Sequence, residues 1–353
     1  MNIDNSYTEA VTLLKSLIAI PSISREEKAV SDFLQEYLKA QGLDPRRKNN
    51  NIYVLSKEFD DAKPTLLLNA HLDTVKPGVG WLTDPYMPVE KEGRIYGLGS
   101  NDDGASLVCL LATFRLLQDT KQTYNLIFLA SAEEEVSGKN GIESVLEELP
   151  VCSLAIVGEP TGMHPAVAEK GLMVLDCISH GVAGHAARNE GQNAIYKAMP
   201  DIEWFRSTTF PKVSQMLGAV KTTVTQISAG TQHNVIPSEC TFVVDVRSND
   251  CYSNQELYEL IQSNVDCEVK PRSFRLNSSH ISLEHPFVQK TIQLGRTPFG
   301  SPTLSDQALI PFSSVKIGPG QSSRSHTSEE YICLDELKEA IAIYTQLLDG
   351  LML

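Results

Sequence analysis

The sequence predicts an α/β protein: a three-layer domain with a largely parallel sheet, interrupted by an inserted α+β domain. Three observations lead there. Short apolar runs, Leu66-Leu67-Leu68 within TLLLNAHLDTV, NLIFLA at 125–130 and LAIV at 154–157, read as strands buried on both faces. Helical patterns alternate with these runs, as they do around a parallel sheet. From residue 172 to about 283 the runs give way to apolar–polar alternation, which marks antiparallel strands with one wet face. The expected division is therefore 1–171 and 284–353 for the α/β domain and 172–283 for the insertion. A chain of 353 residues is long enough for about two domains.

In chain order, Leu13, Leu14, Leu17 and Ile18 recur at helical spacing until Pro21 stops the pattern. Ser24 and Glu27 form a capping-box pair for a second helix, whose face carries Val30, Phe33, Leu34, Tyr37 and Leu38 and which ends near Gly42. Residues 51–56 and 65–70 read as strands. The glycine-broken stretch 96–104 runs into an apolar helix over 105–117. Strand 125–130 leads directly into Glu133-Glu134-Glu135. A helix over 141–149 and a strand over 154–157 follow, ending at Gly158-Glu159-Pro160. In the insertion, strands are expected over 172–179, 221–228 and 240–247, and helices over 193–207 and 254–265. From His285 the α/β character returns through 287–294, a Ser-Asp turn, a strand over 314–317 and a last helix bearing Leu337, Ile341, Tyr344 and Leu348 on one face.

The composition is ordinary for a globular protein, with 42% apolar and 21% charged residues. A formal charge of -14 argues against nucleic acid and anionic membrane as partners, and suits a protein that gathers carboxylates around cations. Seven cysteines stand dispersed without a CxxC pair, which favours reduced thiols and a cytoplasmic location. The start, MNIDNSYTEA, lacks the pattern of a signal peptide, and no apolar run is long enough to span a membrane.

The chemistry is concentrated where strands end. His71 and Asp73 alternate with Leu72, so imidazole and carboxylate project to one side at the carboxyl end of a buried strand, where open α/β sheets place their sites. Asp102, Glu134 with Glu135, Glu159, and His326 occupy comparable strand or loop ends. Imidazole and carboxylate suit zinc, and also cobalt or manganese. Three adjacent glutamates repel one another unless something positive sits among them. Singly, each of these features is more often structural; together they point to a metal centre.

The set LIAIPSIS (17–24), HLDTV (71–75), GLGSNDDG (97–104), SAEEEVSG (131–138), VGEPTG (157–162), GHAA (184–187), GTQHNVIP (230–237), DVR (245–247) and GPG with HTSEEYI (318–332) resembles the M20 family of metallopeptidases and deacylases. Within it, the likeness is greatest to the acetylornithine deacetylase and succinyl-diaminopimelate desuccinylase branch. The pieces keep the family's order and span nearly the whole chain. This resemblance implies a catalytic α/β domain and a smaller lid domain that mediates homodimerisation.

It also implies roles. Asp102 corresponds to the carboxylate bridging two zinc ions, with His71 and Glu159 completing one shell and Glu135 and His326 the other. A water between two such ions is acidified while an amide carbonyl is polarised. Asp73 would hydrogen-bond the second nitrogen of His71 and fix its tautomer. Glu134 corresponds to the general base, an assignment over Glu133 that rests on aligning the run with the family's Asp-Glu-Glu. His185 corresponds to a residue that reaches across the dimer to stabilise the oxyanion, the alternative being an exposed loop histidine. Asn234 and Arg247 correspond to lid residues that contact substrate, though Arg247 could equally pair with Asp245. His164, His180, His233, His280 and His285 match no ligand position and are read as structural.

Two departures stand out. Leu98 replaces the arginine of the family's Gly-Arg-Gly, and Asp103-Gly104-Ala105 replaces its Met-Lys-Gly. Neither removes an expected ligand; both alter a loop beside substrate entry. The activity implied is hydrolysis of an N-acyl amino acid, foremost N-acetylornithine in arginine biosynthesis. The alternatives are N-succinyl-ornithine, N-acyl-citrulline, N-succinyl-diaminopimelate, or the substrates of an aminoacylase or dipeptidase. A non-catalytic binding member of the family would have lost ligands, and none is missing.

Overall fold

Strand Thr65–His71 is buried along its whole length, as a run apolar on both faces requires. In the computed structural model, which describes residues 2–188 and 190–353, it lies near the middle of the sheet of the first of two units. That unit comprises the chain up to Val167 together with His280–Phe299 and Ser305–Leu353. Asn125–Ser131 and Leu154–Val157 flank the strand in parallel, and Ser314–Lys316 lies parallel beyond Leu154–Val157. On the other side, Asn51–Leu55 pairs antiparallel with Asn125–Ser131, and Arg46–Lys48 pairs antiparallel with Asn51–Leu55.

Helices cover both faces. Gly104–Leu117, apolar nearly all round, packs between Ile3–Ile18 and Leu334–Leu348 and lies on the sheet, with the Phe114 ring 6.3 Å from that of Phe128. On the opposite face Ile142 and Val145 of the short helix Ile142–Leu146 cluster with Leu67, Ile127 and Leu129. Each fully buried Leu, Ile or Phe here contributes about 1.5–3 kcal/mol relative to exposure. This is the expected three-layer α/β architecture.

The second helix corrects one expectation. It spans Lys28–Ala40 with Glu27 at its N-cap and no side-chain cap bond. Ser24 does not cap it, because its hydroxyl donates instead to Asp73 Oδ2 at 2.7 Å. The Glu27 carboxylate is likewise engaged elsewhere, accepting from Asn50 Nδ2 and from the backbone N–H of Glu133. Tertiary partners outbid a local motif here. A further feature has no periodic sequence signal: a small antiparallel sheet ordered Tyr331–Cys333, Arg94–Tyr96, Val89–Lys91.

The second unit comprises Ala168–Ser279 with Gly300–Leu304. Its antiparallel sheet is ordered Lys221–Ala229, Glu239–Arg247, Met173–His180, Glu268–Pro271. Paired positions Val246↔Met173, Val244↔Leu175 and Phe242↔Cys177 bury their side chains with Ala198, Phe205, Leu257 and Ile261 from helices Ala194–Ser207 and Asn254–Gln262. Lys221–Ala229 is an edge strand, largely exposed and bulged between Val224 and Gln226. Among the described residues no helix is long and apolar enough to cross a membrane.

Candidate active site

Parallel strands end on the same side of a sheet, so the segments that follow them converge. His71 closes its strand with an imidazole only 2% exposed. Its Nδ1 lies 2.9 Å from the carbonyl oxygen of Asp73. A carbonyl only accepts, so Nδ1 carries a proton, and in the neutral tautomer this leaves Nε2 as the nitrogen able to ligate. Here the expectation for Asp73 needs correcting: its carbonyl, not its carboxylate, makes the closest contact, the carboxylate standing 3.6 Å from Nδ1. The carboxylate accepts instead from the backbone N–H groups of Glu134 (3.0 Å) and Glu135 (3.2 Å), and from Ser24.

Asp102 sits in a tight loop in which Gly99 has φ +76°, and a Cβ there would come within 2.7 Å of the Thr74 methyl. The Asp102–Asp103 peptide is cis. The carboxylate faces an imidazole on each side: Oδ1 is 3.2 Å from His71 Nε2, and Oδ2 is 3.5 Å from His326 Nε2. His326 also lies 3.0 Å from Glu135 Oε2. Glu134 and Glu135 occupy a 3-10 turn, with Glu134 Oε2 4.0 Å from His71 Nε2. Glu133 is turned away: its carboxylate accepts from Asn140 Nδ2 at 3.0 Å. Donor atoms of His71, Glu134 and Glu159, and of His71, Asp102 and Glu135, each gather within 4.8 Å.

Electrostatics follow from this crowding. Burial holds the Glu134 and Glu159 carboxyls well above the usual range, opposed by the nearby charges of His71 at Glu134 and of Lys316 at Glu159. Burial likewise pushes Asp102 up, but the His71 hydrogen bond and charge outweigh it and hold the group low. His71 is pulled down by burial, yet the Asp102 hydrogen bond and the charges of Glu134, Asp73 and Asp103 leave it well above the ordinary value. His326 is raised to about 8 by its hydrogen bond to Glu135, against partial burial. Two buried carboxyls held high and two imidazoles held high by their acidic neighbours mark a nest short of positive charge. Hard and borderline oxygen and nitrogen donors of this kind fit divalent zinc, cobalt or manganese.

The structure places the other three candidates in the second unit. His185 pairs with Val235, and the adjoining Ala186 N–H donates to the Asn234 carbonyl. His185 Nδ1 accepts from the Ala187 N–H at 3.1 Å, so its proton resides on Nε2, which is left as a donor. The Arg247 guanidinium donates twice to Asp245, at 2.8 and 3.1 Å. Of the remaining histidines, His285 caps helix Pro286–Gln293, His164 accepts from Thr297, and His180 pairs with Glu268.

Two further acids escaped the sequence reading. Asp306, 3% exposed, accepts from Asn69 Nδ2 at 2.9 Å and Ser131 Oγ at 2.6 Å, beneath the strands carrying His71 and the glutamates. Glu330 accepts from the backbone N–H groups of Gly99, Asn101 and Asp102 at 2.8–3.1 Å. Burial and the Asp102 charge push its carboxyl up to about 8, against the pull of these three bonds. Its position four residues after His326 was the one available signal.

Comparison with known proteins agrees with this geometry. Residues 67–350 match the family described as Peptidase family M20/M25/M40. A peptidase M20 domain-containing protein of Schizosaccharomyces pombe is 27% identical over 96% of this chain and 83% of its own length. A succinyl-diaminopimelate desuccinylase of Wolbachia pipientis is 24% identical over 96% of this chain and 92% of its own. Among solved structures, aminopeptidase PepT of Bacillus cereus superposes with a TM-score of 0.79 at 17% identity, over 97% of this chain and 98% of that one. A dinuclear metal-binding M20 peptidase of Bacillus subtilis does so with 0.75 at 16% identity, over 99% and 100%. The chain belongs to peptidase family M20 and is a metal-dependent hydrolase.

Proposed function

We propose that the protein is a zinc-dependent deacylase of N-acyl amino acids, with N-acetylornithine the foremost substrate and arginine biosynthesis in the cytoplasm its setting. The observation that carries the metal assignment is Asp102, whose two carboxylate oxygens each face a different imidazole, His71 and His326. Asp102, His71 and Glu159, with Glu135 and His326, would be the residues that hold two metal ions. Cobalt or manganese would be accepted by the same donors. Ions held there would supply Lewis acidity for an amide carbonyl and lower the pKa of a water.

This chain's own residues do the rest. Glu134, buried and raised, is suited to take a proton from the attacking water and return it to the leaving amine. Asp73 holds Glu134 and Glu135 by their backbone. His185, with its proton on Nε2, is a fit donor to an oxyanion, delivered from the partner subunit of a homodimer. Asn234 and Arg247 are assigned to substrate contact, and for Arg247 that role requires release from Asp245.

The relatives named succinyl-diaminopimelate desuccinylase favour a second reading, in which the acyl group is succinyl. The test is release of free amine from N-acetyl-ornithine, N-succinyl-ornithine, N-acetyl-citrulline and N-succinyl-diaminopimelate by zinc-loaded protein. A marked preference for one compound fixes acyl group and side chain together. Silence on all four, with cleavage of unblocked dipeptides, would replace this reading with a peptidase.

A further inference from the structure

We infer that Glu330 is a positioning residue for the metal centre: it holds the loop that presents Asp102 in register with the segment that presents His326. The inference rests on the reading of Asp102 and His326 as metal-binding residues. Glu330 is 1% exposed, and both carboxylate oxygens are used. Oε1 accepts from the N–H groups of Asn101 (2.8 Å) and Asp102 (2.9 Å), Oε2 from that of Gly99 (3.1 Å). Three N–H donors converging on the two oxygens of one carboxyl group define a cradle for the backbone, and its last member is the peptide nitrogen of Asp102 itself.

The same junction is tied twice more. The Gly97 N–H donates to the Glu330 carbonyl at 3.0 Å, and the next residue begins the pairing Tyr331↔Tyr96, Ile332↔Ile95, Cys333↔Arg94. Four residues upstream, His326 reaches Asp102 and Glu135. The neighbouring Glu329 accepts from the N–H of Leu82 at 2.7 Å, so consecutive glutamates grip two different loops. Residues 326–330 thus help set the distance between Asp102 and His326, alongside the bonds that Asn101 Nδ2 donates to the Gln321 carbonyl and to Ser325 Oγ.

Glu330 touches no substrate in this account; it acts through Asp102. Glu330→Gln is nearly isosteric but replaces one acceptor oxygen with an NH₂ facing an N–H donor. Zinc should then bind at least about tenfold more weakly at both ions, since Asp102 serves both. The d–d absorption of the cobalt-loaded protein should change, and the zinc-induced rise in melting temperature should shrink relative to wild type. Glu330→Asp, which keeps the charge with a shorter reach, should fall between the two. A purely structural role would lower the melting temperature of the metal-free protein while leaving zinc affinity and the cobalt spectrum as in wild type, and that result overturns the inference. If wild-type protein itself binds no zinc, it is the reading of the metal centre that fails.

Discussion

The Asp73 carboxylate accepts a hydrogen bond from the backbone N–H of Glu134 at 3.0 Å and another from Glu135 at 3.2 Å. One acid at the exit of strand Thr65–His71 thus orients the turn that carries two others. Asp73→Ala should free that turn, leaving two partly buried donors unpaired. A loss of about 10–100-fold in kcat/KM is expected, with weaker zinc retention. Steady-state kinetics beside metal analysis checks it; an unchanged kcat/KM would mean that the turn holds its shape unaided.

Glu134→Ala should reduce kcat by at least about 10²–10⁴-fold, the range for removal of a general base. Zinc content should stay near wild type. Parallel loss of zinc in the same preparation would make Glu134 a ligand, a role its place beside His71 and Glu159 also offers.

His326→Ala should remove one ion and leave the other. A pH dependence accompanies this site, because a raised imidazole keeps its proton until the pH passes about 8 and a metal must displace that proton. Zinc affinity should therefore fall as the pH drops below about 8, more steeply in wild type than in His326→Ala. Isothermal titration at several pH values reads this directly, and identical slopes would remove His326 from the ligand set.

His185→Ala and Glu134→Ala should each be inactive alone. If His185 serves the partner's site, mixing the two should restore part of the activity through heterodimers. No recovery after demonstrated subunit exchange would place His185 outside the reaction.

The strands that carry the site were legible because a run apolar on both faces is a local signal, and Thr65–His71 and Asn125–Ser131 are buried throughout. Of the expected ligands, His71, Glu135 and Glu159 stood out because they close or follow apolar strands, whereas Asp102 and His326 lie on loops. What escaped the sequence lies in long-range partnerships. Ser24 looked like a helix cap, but its partner Asp73 is 49 residues away. Asp306 read as a turn residue, whereas it supports Asn69 from 237 positions along the chain. Glu330 meets the Asp102 backbone across 228 residues. Periodicity reports burial and element type; it carries no information about which buried acid a given N–H will find. The Asp73 correction has a related origin, since alternation aimed both side chains to one side but could not show that the carbonyl lies nearer the imidazole.

The most direct test is a zinc titration of the metal-free protein, followed by release of free amine from the N-acyl amino acid it prefers. Turnover should be absent in chelator, rise with added zinc and level off near about two equivalents per chain. Turnover that persists in chelator, with no metal bound, would contradict a centre built on His71, Asp102, Glu135, Glu159 and His326.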